Sequence, residues 1–477
     1  MTHIRSTHLA FAACLALGVL AGPTAQRALA QGDPGEAVLT VTTDSEQAEA
    51  HFWTGLNDVE NVFFSRSAMH FEQALELDPN FGMAQFMHAR FAPGLVRAER
   101  LEKMADALGV LANASAGELI VATAMREQYA GNASEARALY DAAANMMPDD
   151  PHVAFYRAGV TGAGGSPERL MALMHAREEH PTFAATANTL AYLQWNMGDE
   201  AGARENVARY VELAPSHPNS HDSYAELFQF SGMQQEAIAH YSMALELDET
   251  YTSGYTGLAE VYMLAGDGDK AREYLEQAAA HVTPGAAVNN LLRAKANTYL
   301  MEGDTRRGLE TLKAAAQKFE EDDNRGLAAQ AHRELAVAEA LFGDASLVHG
   351  HLDRALEFRN ANAAQHAWAS IAHGLLGHAR PAASSARAFE EATGPSNTFA
   401  ATLDGYAMLV GGDAEGARRT LLNSGLQGPW SKAFMALAEK ELGTKDEASR
   451  WEQAVMAHNQ HTAFNLGVAF ARLIASD

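Results

Sequence analysis

Between Pro218 and Pro284 one pattern of small and bulky residues is written twice, and its spacing constrains the fold more than any other feature of the chain. Ala225, Gly232, Ala237, Tyr241 and Ala244 return 34 residues later as Ala259, Gly266, Ala271, Leu275 and Ala278. A period of this length accommodates one pair of helices, too little to bury an apolar face alone. Neighbouring copies must therefore stack.

The pattern extends in both directions. Towards the N-terminus, Phe71-Glu72-Gln73-Ala74-Leu75-Glu76-Leu77-Asp78-Pro79 reads as a helix stopped by proline. A weaker unit carries Leu101, Ala105 and Leu108, and another carries Ala124, Ala136, Tyr140, Ala143 and Pro148. Gly162 to Gly165 mark a turn in the copy that ends at Pro181, and Ala191, Gly198, Ala203 and Pro215 mark the next. Beyond Pro284 the spacing loosens, but Gly303, Gly343, Gly377, Gly412 and Gly443 still divide helix pairs. Small residues let paired helices approach, and a leucine or aromatic fills the space between pairs.

These residues resemble the tetratricopeptide repeat (TPR) family over nearly the whole chain after residue 47, in roughly a dozen hairpins. The resemblance implies an all-α fold, a right-handed α-solenoid superhelix of antiparallel helix hairpins (TPR-like repeats). First helices would line a concave groove and second helices would lie outside. The expected organisation is a signal peptide (1–30), a leader (31–47), an N-terminal and central repeat array (48–318), and an acidic link (319–328). TPR-like repeats (329–460) and a capping helix (461–477) follow.

The signal-peptide reading rests on Arg5, the apolar run Leu9 to Gly22 and the small-x-small site Ala28-Leu29-Ala30. It predicts a cut after Ala30, a periplasmic or secreted location, and no stable membrane insertion afterwards. Cys14, the only cysteine, leaves with that segment, so disulfides, thiol catalysis and cysteine metal sites are not expected. The formal charge of −25 becomes about −27 once Arg5 and Arg27 are removed. Such a chain repels nucleic acid, which is excluded as a partner.

The sequence contains no G-x-S-x-G elbow, phosphate loop or H-E-x-x-H helix, so no catalytic residues, cofactor or metal ligands are assigned. Several of the 20 histidines lie close in sequence: His217 with His221, His349 with His351, His373 with His378 across Gly377, and His458 with His461. Neutral surface or inter-helix histidines are the expected reading for all of them. The acidic run Glu320 to Asp323 is expected to be solvated.

The resemblance places the partner-binding groove on first-helix positions. These are Asn188, Tyr192 and Trp195; Asp222, Glu226 and Gln229; Thr256, Glu260 and Met263; and Arg293 and Asn297. Acids stand at the middle of this face, where carboxylate-gripping relatives need cations, so a neutral or basic protein or peptide is the expected partner. The leading function is a non-catalytic protein-interaction scaffold. The alternatives are an enzyme or enzyme subunit with a site in the groove, or an envelope carrier of a small ligand or metal.

Overall fold

In the computed structural model of the chain the described residues are 38–282, 286–394, 396–426, 428–459 and 465–476. The signal-peptide reading, the cut after Ala30, Cys14, the start of the leader, Pro284, Pro395, His461 and Thr462 lie outside them. Among the described residues the secondary structure is helical throughout, without strands.

Two compact units divide between Leu227 and Phe228. Unit 1 contains the hairpins α1 (Glu46–Glu60) with α2 (Phe64–Leu77), α3 (Gly82–Phe91) with α4 (Arg97–Leu111), and α5 (Ala116–Ala130) with α6 (Ala133–Met146). It continues through α7 (Pro151–Gly159) with α8 (Pro167–Glu179), then α9 (Ala184–Asn196) with α10 (Glu200–Leu213). The division falls inside α11 (Pro218–Phe230).

Unit 2 takes up α12 (Gln234–Leu247), α13 (Thr252–Leu264) with α14 (Gly268–Ala280), and α15 (Ala286–Met301) with α16 (Thr305–Glu321). Next come α17 (Arg325–Phe342) with α18 (Val348–Phe358), and α19 (Ala363–Leu375) with α20 (Ala379–Thr393). It ends with α21 (Thr398–Val410) and α22 (Ala414–Asn423), α23 (Pro429–Glu441) and α24 (Lys445–Met456), and a single α25 (Leu466–Ser476).

The repeated sequence positions explain the hairpins. Ala225, Ala237, Ala244, Ala259, Ala271 and Ala278 are all buried, as their role between close helices requires. Between first and second helices the dipeptide Gly-Asp recurs. Gly198, Gly266, Gly303 and Gly412 take φ near +80°, a left-handed conformation that costs glycine little. The following Asp199, Asp267, Asp304 and Asp413 each accept a hydrogen bond from a backbone N–H in the first turn of the second helix. Each such cap stabilises its helix by about 1 kcal/mol. Pro79, Pro148, Pro181 and Pro215 lie two residues past the ends of α2, α6, α8 and α10.

Within each unit, apart from α11, first helices pack on their own second helices and second helices on the next first helix. Within unit 2 the row α15, α17, α19, α21, α23 also touches first helix to first helix, which forms an inner row. The lone α25 packs on α15, α17 and α23 of that row as well as on α24. It is therefore a cover for the inner row, more than the end cap that its position in the sequence suggested. The reason is its composition: Phe470 is fully buried, 6.4 Å from the Phe342 ring and 6.2 Å edge-on to Trp368.

The stretch 319–328 is not a link. Helix α16 runs on to Glu321 and α17 begins at Arg325, leaving only residues 322–324 between them. Phe319 is fully buried in one core that spans Ala296 to Ala475, so apolar packing carries the helix through the acidic run.

Candidate functional site

The half-exposed part of the expected groove in unit 1 lies on α9 and α11. Pro218 opens α11, where its fixed φ suits the first turn and its missing N–H is not needed. The 3.6-residue period then sets Asp222 and Glu226 one turn apart on the same face. Tyr192 of α9 donates its hydroxyl hydrogen bond to the Glu226 carboxylate. Burial, followed by the negative charges of Glu226 and Asp222, pushes the Tyr192 hydroxyl well above its ordinary pKa. It therefore stays a neutral donor. Tyr192, Trp195, Asp222 and Glu226 are all partly accessible, whereas Asn188 is buried.

Other residues of unit 1 make an interior network between distant hairpins. The Asp58 carboxylate of α1 accepts from Arg66 Nε (2.9 Å) and Nη2 (2.6 Å), and lies 3.2 Å from His217 Nε2. Burial would raise this carboxyl, but the hydrogen bonds from His217 and Arg66 outweigh it and hold the pKa below the ordinary value. Glu60 accepts from the Tyr156 hydroxyl (2.5 Å) and lies 2.6 Å from His152 Nδ1. Burial works to lower His152, yet the charge and hydrogen bond of Glu60 win and raise its pKa. His217 and His221 are thus structural, the latter bonding the Pro215 carbonyl at 3.1 Å. No spacing rule could have paired Asp58 with His217, which is 159 residues away.

The described part of the leader is held by the ends of the same hairpins. Leu39, buried in the unit 1 core, donates its N–H to Asp150 Oδ2 at 2.8 Å. Thr42 donates its N–H to Glu118 Oε1 (2.9 Å) and its hydroxyl to Oε2 (2.6 Å), and the Thr43 hydroxyl donates to Asp78 Oδ2 (2.6 Å). Asp150 also caps α7 through Val153 N–H, and Glu118 completes a capping box with Ser115. First-helix N-termini stabilise these carboxylates, which in turn hold a non-helical segment through its backbone N–H groups.

In unit 2 the expected groove residues are mostly enclosed. Gln229 is buried, donating to the Asn459 carbonyl (3.2 Å) and accepting from the Tyr241 hydroxyl (3.1 Å). Met263 and Asn297 are buried, and Arg293 is buried in a two-point pair with Glu334 of α17. Arg293 and Asn297 belong to α15, one of the helices that α25 covers. Glu260 and Thr256 are half-exposed on α13. The sequence offered no sign that the inner row would be covered by a later helix of the same chain.

In the acidic run Glu321, Asp322 and Asp323 are exposed, whereas Glu320 is engaged. Glu320 lies 2.6 Å from His332 Nε2 and pairs with Arg354, and these contacts hold its carboxyl below the ordinary range despite some burial. Among the histidines, His351 meets His332 at 3.0 Å, while His349 converges with His373 and His378.

Residues 231–296 match the sequence model of the tetratricopeptide repeat. No curated protein matches the chain. Among solved structures, that of yeast Tom70 is similar, at 13% identity over 85% of this chain and 96% of that one, with a TM-score of 0.46. A tetratricopeptide repeat protein from Parabacteroides merdae is 11% identical over 76% of this chain and 100% of its own, with a TM-score of 0.35. MamA is 21% identical over 32% of this chain and 88% of its own, with a TM-score of 0.28.

Proposed function

We propose, on the premise that this is a tetratricopeptide-repeat protein, that it is a non-catalytic scaffold which grips a peptide segment of a protein partner. The partner-binding face is that of α9 and α11, with Tyr192, Trp195, Asp222 and Glu226. Within unit 2, Glu260 on α13 is the accessible acid of the corresponding row. The observation that carries this reading is the leader: in unit 1, carboxylates at helix ends already hold a non-helical stretch of chain through its N–H and hydroxyl groups. Asp222 and Glu226, one turn apart, place two carboxylates on one face, which suits a cationic or N–H-rich segment. The preferred partner is neutral or basic.

The residues from Arg5 to Ala30 have the form of a signal peptide, which supports a periplasmic or secreted site of action. No helix of the described residues is long and apolar enough to cross a membrane. N-terminal sequencing of the protein from its native host should begin at Gln31; Met1 there would overturn the export reading.

A pull-down from envelope extract, comparing the protein with a Tyr192→Ala, Asp222→Ala, Glu226→Ala variant, tests the binding face. A partner retained by the first and lost by a folded variant supports it. A partner held equally by both moves the interface elsewhere.

A further inference from the structure

Three histidines of unit 2 that no spacing rule joins meet at one point. His349 stands in the first turn of α18, His373 in the last turn of α19, and His378 at the N-cap of α20. Gly377, at φ +73°, makes the turn that brings His378 back beside His373. One nitrogen from each ring lies within 4.8 Å of the other two, and the ring centroids are 5.3, 6.3 and 6.5 Å apart.

Two other histidine pairs among the described residues meet ring to ring. His51 and His70 share a contact of 3.4 Å between ring nitrogens, and His332 is held by both His351 and Glu320. His373 is different: its Nδ1 is buried without a hydrogen-bond partner. A buried nitrogen left unsatisfied is costly, and such a group in a native structure calls for an explanation. Here the nitrogen belongs to the residue around which two further imidazoles gather.

We propose that His349, His373 and His378 bind a divalent transition-metal ion of the zinc class, tying the hairpin α17–α18 to the hairpin α19–α20. Three imidazoles and no carboxylate are a donor set for zinc, copper or nickel, and a poor one for calcium or magnesium. Zinc–nitrogen bonds of about 2.0–2.1 Å put the nitrogens of a tetrahedral site roughly 3.3 Å apart, so the rings need close by no more than about 1.5 Å. His349 and His378 are exposed beside the half-buried His373. The strongly acidic chain also concentrates cations around itself. The fourth position would be left to water or to a side chain of a partner.

The test uses the full chain without an affinity tag, stripped by chelator, dialysed against limiting Zn²⁺ and assayed for bound metal. One tightly held zinc per chain is expected, with affinity reduced by more than about tenfold in His373→Ala and His378→Ala. His51→Ala, outside the cluster, should retain the zinc. Substituted Co²⁺ should give the visible absorption of a tetrahedral nitrogen site, absent from His378→Ala. Because His378 is exposed, that variant keeps the test valid should His373→Ala fail to fold. A wild-type chain that holds no zinc, or a folded His378→Ala protein that holds it as tightly as wild type, overturns the proposal.

Discussion

Unit 1 and unit 2 are built from the same hairpin and each has an apolar core, yet the contacts that join distant elements differ. In unit 1 charged and polar groups join distant hairpins: Asp58 with Arg66 and His217, Glu60 with His152 and Tyr156, and the leader with Glu118 and Asp150. In unit 2 an apolar helix, α25, lies on the inner row and buries Phe470 against Phe342 and Trp368. The comparison teaches that a repeat pattern prescribes the hairpin but leaves the inner surface open to different occupants. Polar contacts position a face and respond to pH; apolar contacts cover it.

The largest effect that separates the two units is expected from Phe470→Ala. It should destabilise unit 2 by about 3–5 kcal/mol, read as faster hydrogen exchange in α15, α17 and α23 with α1 to α7 unchanged. Equal protection in both proteins would show that α25 does not cover the row. Next is Asp58→Ala, which leaves Arg66 and His217 without their carboxylate. Because Arg66 keeps 31% of its side-chain exposure, the cost should fall at the low end, about 3 kcal/mol, and appear in unit 1 alone. A smaller change, about 0.5–1 kcal/mol, is expected for Thr42→Val, which loses a hydroxyl bond to Glu118 near solvent. It should loosen the leader without affecting α25.

The smallest effect is the pH dependence of unit 1. The pKa of His152 is raised in the folded state, so its contribution is complete below the unfolded value of about 6.5 and is lost as pH rises through the folded value. Asp58 behaves oppositely: its contribution is present above the unfolded value of about 3.9 and lost as pH falls through its depressed folded value. His152→Gln should abolish the alkaline loss of protection in α1 and α7. A decline that persists in the variant would assign it to another group.

Much of this fold could be read from residues. The buried alanines at positions 225, 237, 244, 259, 271 and 278, the Gly-Asp turns and the stopping prolines are local rules, and the helices follow them. What could not be read is what fills the inner surface, because those contacts join residues far apart in the chain. Gln229 meets the backbone of Asn459, Arg293 meets Glu334, and α25 returns over α15. Groove positions inferred one repeat at a time therefore included five that are buried: Asn188, Gln229, Met263, Arg293 and Asn297. Tyr192, Trp195, Asp222, Glu226 and Glu260 remain partly accessible. The histidine cluster was hidden for a related reason. His373 and His378 were visible across their glycine turn, but only the packing of α18 on α19 adds His349.

The most direct test of the scaffold claim is a fluorescence-anisotropy titration with three labelled peptides of equal length, one basic, one neutral and one acidic. The α9–α11 face predicts tightest binding of the basic peptide, weaker binding of the neutral one and none of the acidic one. Affinity for the basic peptide should fall by more than about tenfold in an Asp222→Asn, Glu226→Gln protein, since two charge-assisted contacts are lost. Preference for the acidic peptide, or unchanged binding by that folded variant, would contradict the account.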